Sequence, residues 1–411
     1  MAKVETGGGE LPLQGVRVLA VEQMQALPYA TQLLARLGAD VVKVEHPVDG
    51  DSGRGSKPSV RDADGREVGA TYLRNNLNKR SIGIDLKRPE GVALVKRLVP
   101  RFDVFGENFK TGTVGRLGLA WSDLEPLNPR LIYVSVSGFG NLRPSPYDGW
   151  GAYAPIAEAM GGFYEARRAP GERPKLGAAG GLGDIGTSLF AAIGVLSALH
   201  QRERTGRGQY VDVSMYDAMV AMADTVPFFW SMGMREGGNK RRAAGVVDAF
   251  QAKDGFFIVQ CVRDHQLRAL ANAIGHPEWL ADPRLETRFG WGEHMDDLVR
   301  PGIESWAANK TMVEACMELN AKGVASGPCN GPEHLLRDPH VRDHGMLARV
   351  PRPDSDEPLL IVGNPIKLSG SGEAPSVRWP MLGEHGTALL HDELGLRDPE
   401  IADLRKRGVI A

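Results

Sequence analysis

Short apolar runs alternate with longer amphipathic ones through the first half of the chain. Residues 15–21 (GVRVLAV) and 40–45 (DVVKVE) are brief and rich in β-branched side chains, as buried strands are. Between them, residues 30–37 carry a helical pattern that Gly38 closes in the manner of a C-cap glycine. Residues 89–99 repeat the helical pattern behind Pro89, which suits a first helical turn, and 131–136 read as a further strand. This strand–helix alternation predicts a parallel sheet covered by helices.

Residues 185–204 predict a long helix, closed by TGRG at 205–208 and followed by a strand over 209–214 and a helix over 216–234. Gly233, Gly237 and Gly238, with the basic cluster Lys240, Arg241 and Arg242, then mark a boundary. A strand over 256–262 and helical segments to about residue 319 would fill a second domain. The expected organisation is a loose tail over 1–10, a large α/β domain over 11–232, a small domain over 233–326, and a C-terminal return to the large domain over 327–411. No internal repeat is evident.

A length of 411 residues suits two or three domains at roughly 100–200 residues each. The chain is 42% hydrophobic, enough for a sizeable core. Its 49 basic and 51 acidic residues leave a net charge of −2, which argues against a nucleic-acid-binding surface and requires any anion site to be local. Three cysteines, Cys261, Cys316 and Cys329, with no Cys-x-x-Cys pair, point to neither a disulfide framework nor zinc. A reducing cytoplasm is the expected location. No apolar run approaches the ~20 residues of a membrane span, so no membrane association is expected. The polar start of the chain lacks a signal-peptide layout, and HDEL at 391–394 is internal.

One motif misleads. GLGDIG at 181–186 matches GxGxxG, with Glu203 about 20 residues on, as in dinucleotide-binding folds. The motif requires an apolar strand directly before it, and residues 173–180 are not one. Asp184 has two readings. The plainer one is a helix N-cap, whose carboxylate accepts N–H bonds and stays ionised. The chemical one is a nucleophile, left accessible to a bulky thioester by the glycine-rich stretch 177–183. The two are compatible.

Glu107, Asn108, Phe109 and Lys110, followed by Arg116, combine an amide, an aromatic and two cations. Such a cluster suits a nucleotide with several phosphates, and equally a loop with solvated charges. Asn78, Lys79 and Arg80 are a weaker signal of the same kind. His340 and His344 are four apart with no third ligand nearby, so no metal site is expected.

Together these stretches resemble the class III CoA-transferase family, of the carnitine or formyl-CoA transferase type. The likeness is carried by GVRVL at 15–19, LGADVVKVE at 37–45, NKRSI at 78–82, DVFGENF at 103–109, the pair Gly183 and Asp184, TGRGQYVDVSMYD at 205–217 and PMLGEH at 380–385. It covers nearly the whole chain from residue 11. The resemblance implies an α/β fold with a Rossmann-like large domain and parallel sheet, a smaller α+β domain, and an interlocked homodimer. It implies that Asp184 is the nucleophile and that Gln25 and Ala26 line the active site. By the same match Asn108, Phe109, Lys110 and Arg116 contact CoA, Ile84 and Lys87 lie near the nucleotide, Tyr153 lies near the acyl site, and Met215 is a further candidate.

The sequence also departs from the formyl-CoA transferase pattern. His46 stands where that enzyme has an arginine, Ala154 where it has a glutamate, and its glycine-rich lid is matched only by Gly237 and Gly238. Formyl-CoA and oxalate are therefore not the expected pair. The implied reaction moves CoA from an acyl-CoA to a free carboxylic acid through an aspartyl anhydride and an aspartyl-CoA thioester, with CoA as substrate and no resident cofactor. The nearest rival, an α-methylacyl-CoA racemase, needs an acid and a base on opposite faces of the α-carbon. The racemases place a histidine before this aspartate, but no histidine lies between His46 and His200, and the matching place reads GWGAY at 149–153. A CoA-binding protein without catalysis is a second rival. Arg167, Arg168, Arg241 or Arg242 could meet a substrate carboxylate, although solvated surface charge is the commoner role for such residues.

Overall fold

The computed structural model describes residues 10–165, 168, 171–177, 180–233 and 244–411. Arg167, Gly237, Gly238, Lys240, Arg241 and Arg242 lie outside the described residues. The chain divides into two compact units, one from residues up to 166, 173–235 and 343–411, the other from 167–172 and 236–342.

The larger unit is built on six strands: β1 (Arg17–Val21), β2 (Asp40–Glu45), β3 (Lys79–Gly83), β4 (Val104–Glu107), β5 (Ile132–Ser137) and β6 (Gln209–Ser214). They run in the order β3-β2-β1-β4-β5-β6, and every pairing is parallel. The central strands β1, β4 and β5 are buried almost throughout, as strands covered on both faces are, whereas β3 carries Lys79 and Arg80 and β6 is only partly buried. Alternate residues feed two cores. Val18 and Ala20 of β1 pack with Leu27, Leu34, Ala191 and Val195 on one face. Leu19 and Val21 pack with Leu94, Leu98 and Phe105 on the other. The strand order reverses direction between β1 and β4, and the crevice at such a switch point is where open α/β sheets bind ligands.

Four helices place the site. These are α1 (Ala26–Arg36), α2 (Ala70–Asn75), α3 (Ala154–Met160) and α4 (Leu182–Thr205). Helix α1 begins four residues before the helical pattern from residue 30, because its first turn is packed rather than patterned: Ala26, Leu27 and Pro28 are all buried. Helix α4 starts at Leu182 behind Gly181 and ends at Gly206, whose φ of +70° is the left-handed conformation of a glycine C-cap. The helix expected over 216–234 is two helices, Met215–Ala223 and Thr225–Ser231, broken at Asp224 with φ +34°.

The sequence expectation about apolar runs also needs correction. Leu182–Thr205 is long and apolar enough to cross a bilayer by length and composition. Half of its apolar window is buried, with Ala191, Val195, Ala198 and Leu199 packed in the core that also holds Leu27, Ala30 and Leu34 of α1.

The smaller unit has an antiparallel three-stranded sheet, β7 (Val246–Gln251), β8 (Phe256–Cys261) and β9 (Ser326–Pro328), with β8 in the middle. Helices close a core around Phe250, Phe257, Trp279 and Trp291. Among the described residues no cluster of His, Cys, Asp or Glu has the arrangement of a metal site.

Candidate active site

The switch point is locked by one side chain. Asn108, just after β4, accepts from the backbone N–H of Gln23 at 2.8 Å and donates to the carbonyl of Gln23 at 2.8 Å. An asparagine does this because its amide carries both a donor and an acceptor. The two strand ends on either side of the crevice are thereby held together.

The turn from β1 into α1 is fixed from below by buried charge. Lys43 Nζ lies 2.8 Å from Asp51 Oδ2 and donates to the carbonyl of Glu22 at 2.9 Å. Lys79 Nζ lies 2.7 Å from Glu22 Oε1. Burial alone would lower the Lys43 ammonium, but Asp51, Glu22 and Glu45 outweigh it and raise it. Burial does prevail at Lys79, pulling it down to about 8 despite Glu22. Asp51 also accepts from the N–H of Met24 at 2.9 Å, holding Met24 at φ +63°, a conformation that costs a non-glycine residue roughly 1–2 kcal/mol. Lys79 and Arg80 are thus structural: Lys79 is wholly buried in this network and Arg80 pairs with Asp40. The weak anion-binding signal at residues 78–80 has this explanation.

Two cavities open onto the switch point and share Gln23 and Phe109. The smaller, about 220 Å³, is lined by Ile84, Lys87, His46, Thr113 and Leu117 among others. The larger, about 350 Å³, is lined by Ala26, Asn108, Lys110, Tyr153, Asp184 and Met215, with Trp150 and Phe139. Nine of the eleven residues expected at the site therefore line one elongated, two-lobed cleft. Gln25 is buried immediately between the lining residues Met24 and Ala26. Arg116 lines neither lobe; its guanidinium donates to Oγ1 of Thr113, which lines the smaller one.

Asp184 is the third residue of α4, not its N-cap, which is Gly181. Its carboxylate makes no capping bond, and no described residue hydrogen-bonds to it. Glu158 on α3 takes the helix-start amide instead, accepting from Gly183 N–H at 2.9 Å, and its other oxygen accepts from the Tyr164 hydroxyl. The expectation that helix amides keep Asp184 strongly ionised is corrected accordingly. Burial pushes its carboxyl up to about 6; Arg74 opposes the rise and Glu158 adds to it. A carboxylate with this basicity is more nucleophilic than an exposed one and still largely ionised at neutral pH.

The glycines around Asp184 are sterically required. A Cβ on Gly181 would lie 2.8 Å from Asp184 Oδ2, and one on Gly183 would lie 2.8 Å from Cα and 2.9 Å from the carbonyl oxygen of Ala154. Ser188, one turn on, donates to the carbonyls of both Asp184 and Ala26, joining α4 to the start of α1. Arg74 on α2 donates to Gln25 Oε1 at 2.7 Å.

Arg74 and Glu158 were not singled out in the sequence. Glu158 left a trace, being the one charged residue in the apolar helix APIAEAM, and a lone buried carboxylate needs partners. Arg74 left none.

The fold and cleft define an enzyme that takes a long, two-part substrate at the switch point of a parallel sheet. The chain belongs to CoA-transferase family III, which it matches over residues 13–386. It is a CoA-transferase, moving CoA between an acyl-CoA and a free carboxylate. It is similar to the succinyl-CoA:mesaconate CoA-transferase of Haloarcula hispanica, with 37% identity across 93% of this chain and 96% of the relative. It shares 37% identity with the succinyl-CoA–D-citramalate CoA-transferase of Chloroflexus aurantiacus, across 97% of this chain and 98% of the relative. Its structure superposes on a CAIB/BAIF family protein from Brucella suis with a TM-score of 0.82 and 30% identity, covering 94% of this chain and all of that one.

Proposed function

We propose that Asp184 is the nucleophile and that the preferred acids are short dicarboxylic acids of four or five carbons. The observation that carries the first part is a half-buried carboxylate to which no described residue hydrogen-bonds, raised to about 6, at the glycine-cleared end of the cleft. The second part is supported by relatives whose names specify succinyl-CoA with mesaconate or D-citramalate.

The adenine and ribose of CoA occupy the smaller lobe beside Ile84, Lys87 and Phe109, and the thioester reaches Asp184 in the larger one. An Asp184 oxygen attacks the thioester carbonyl carbon. The C–S bond breaks, CoA leaves as the thiolate, and a mixed anhydride remains. The thiolate attacks the aspartyl carbonyl carbon, the C–O bond breaks, and the first acid leaves as a carboxylate. The acceptor carboxylate attacks the resulting aspartyl-CoA thioester, and the steps reverse. No net proton is consumed, and covalent catalysis divides one difficult exchange into easier ones. Each intermediate hydrolyses in water, so the apolar walls near Tyr153, Trp150 and Met215 matter as much as the nucleophile.

The strand order supports a Rossmann-like description of the larger unit. An interlocked homodimer is supported by apolar side chains left exposed on the single chain: Leu189, Phe190 and Ile193 on α4, and Phe228, Phe229 and Trp230 beyond it. The cytoplasm is the proposed location.

Asp184→Ala is expected to abolish transfer while CoA still binds. Substantial residual turnover in that variant would overturn the assignment.

A further inference from the structure

Arg74 is the cation whose charge bears on Asp184, and it is oddly partnered. Its guanidinium is half-buried and offers five N–H donors. Among the described residues its one side-chain partner is Oε1 of Gln25, a neutral amide, and no carboxylate lies within ion-pair distance. Gln25 is 4% exposed, and its Nε2 is buried with no hydrogen-bond partner. Because Oε1 faces Arg74, the amide group is oriented and Nε2 is available only as a donor. Arg74 and Gln25 together therefore form a donor-rich pair with no anionic acceptor among the described residues. The pair is tied to the reacting centre: Gln25 precedes Ala26, and Ser188 bonds the Ala26 carbonyl to the same turn as Asp184.

Charge balance through the reaction sharpens this. In the free enzyme the Asp184 carboxylate partly compensates Arg74 from a distance. Once Asp184 is an anhydride or thioester it is neutral, and Arg74 is left as a partly buried, unpaired charge, which is costly. An acyl group with an anionic far end would restore the balance at that moment. Arg74 and Asp184 do not touch, so the group that joins them must have length. A four-carbon diacid, with ~1.5 Å per bond, spans roughly 4 Å between its carboxyl carbons.

We propose that Arg74, assisted by Gln25 Nε2, receives the far carboxylate of a dicarboxylic acyl group carried on Asp184, and so selects dicarboxylic over monocarboxylic substrates. This rests on Asp184 as the acyl-carrying residue. Arg74 lines neither lobe but bonds Gln25, which sits between the lining residues Met24 and Ala26; Lys110 is the cation that lines the larger lobe, and it follows Phe109, which the nucleotide lobe shares, and suits the phosphates.

The test compares kcat/KM for succinyl-CoA and butyryl-CoA, which differ by a carboxylate in place of a methyl group, in the wild type, Arg74→Met and Arg74→Lys. The wild type should favour succinyl-CoA. Arg74→Met should lower the succinyl-to-butyryl ratio about 10- to 100-fold, the loss expected for a charge-assisted contact. Arg74→Lys should lower it less, because a point charge replaces a two-pronged donor. If Arg74→Met does not fold, Arg74→Lys carries the test, and an unchanged ratio there overturns the proposal. Equal loss for both thioesters would make Arg74 a support for Gln25 and overturn it as well. A wild type that rejects succinyl-CoA yet labels Asp184 with butyryl-CoA would overturn the dicarboxylate anchor while leaving the nucleophile standing.

Discussion

Glu158 Oε1 accepts a hydrogen bond from the backbone N–H of Gly183 at 2.9 Å, and Gly183 immediately precedes Asp184. One buried carboxylate thus occupies the helix-start donor that another would otherwise use. The result is an Asp184 carboxylate to which no described residue donates a hydrogen bond, pushed up to about 6 by burial and, to a smaller extent, by the Glu158 charge itself. On the proposed mechanism, activation means withholding stabilisation from the carboxylate.

Adduct formation at Asp184 should therefore fall as pH drops through about 6, where the carboxylate gains its proton. Glu158→Gln keeps the shape and an acceptor for Gly183 but removes a negative charge. Its acid limb should move to lower pH. A single-turnover pH profile of both proteins checks this; an unmoved or raised limb contradicts the role given to Glu158.

The same carboxyl should affect stability. Its folded pKa of about 6 lies above the ordinary 3.8, so between those values the folded chain holds the proton more tightly than the unfolded chain. Stability from this group is greatest below about 4, falls as pH rises towards 6, and stays low above. Asp184→Asn cannot ionise. It should be more stable than the wild type at pH 7 by on the order of 1–2 kcal/mol, with the difference gone by pH 4. Denaturant unfolding at both pH values measures it.

Gly183→Ala sets two effects against each other. Alanine favours a helix over glycine by about 1 kcal/mol. Here its methyl would meet the backbone of Ala154 at 2.8 and 2.9 Å, and backbone cannot swing aside. Overpacking of this kind costs typically 1–3 kcal/mol, so the variant should be destabilised. Because α3 must shift, it should also lose adduct formation out of proportion to its loss of stability.

Asp51→Ala removes one partner of a fully buried pair, 2.8 Å from Lys43 Nζ. Breaking such a pair costs about 3–5 kcal/mol; Glu22, 3.5 Å away, keeps the loss near the lower end. The N–H of Met24 also loses its acceptor, so the β1–α1 turn should relax and KM for acyl-CoA should rise. Thermal unfolding together with KM separates the two effects.

The parallel sheet was legible where strands carry mostly apolar side chains, as in 15–21 and 131–136. Strand β3 was not, because Lys79 and Arg80 look solvated until Glu22 and Asp40 are seen opposite them. Of residues 107–110, Asn108, Phe109 and Lys110 line the cleft, and Asn108 is a brace across the switch point as well. Asp184 was legible from its glycines. What tunes it was not, because Arg74 and Glu158 reach it from helices 110 and 26 positions upstream by counting along the chain, a relation that only folding creates. The break at Asp224 was hidden for the opposite reason: its apolar neighbours continue the helical pattern straight through it.

The most direct measurement is peptide mass spectrometry after brief incubation with succinyl-CoA and a panel of other acyl-CoAs. The expected result is a peptide containing Asp184 that gains the mass of CoA less water, with none in Asp184→Ala. Transfer of CoA to a free acid with no adduct at Asp184, or with the adduct on another carboxylate, would contradict the mechanism.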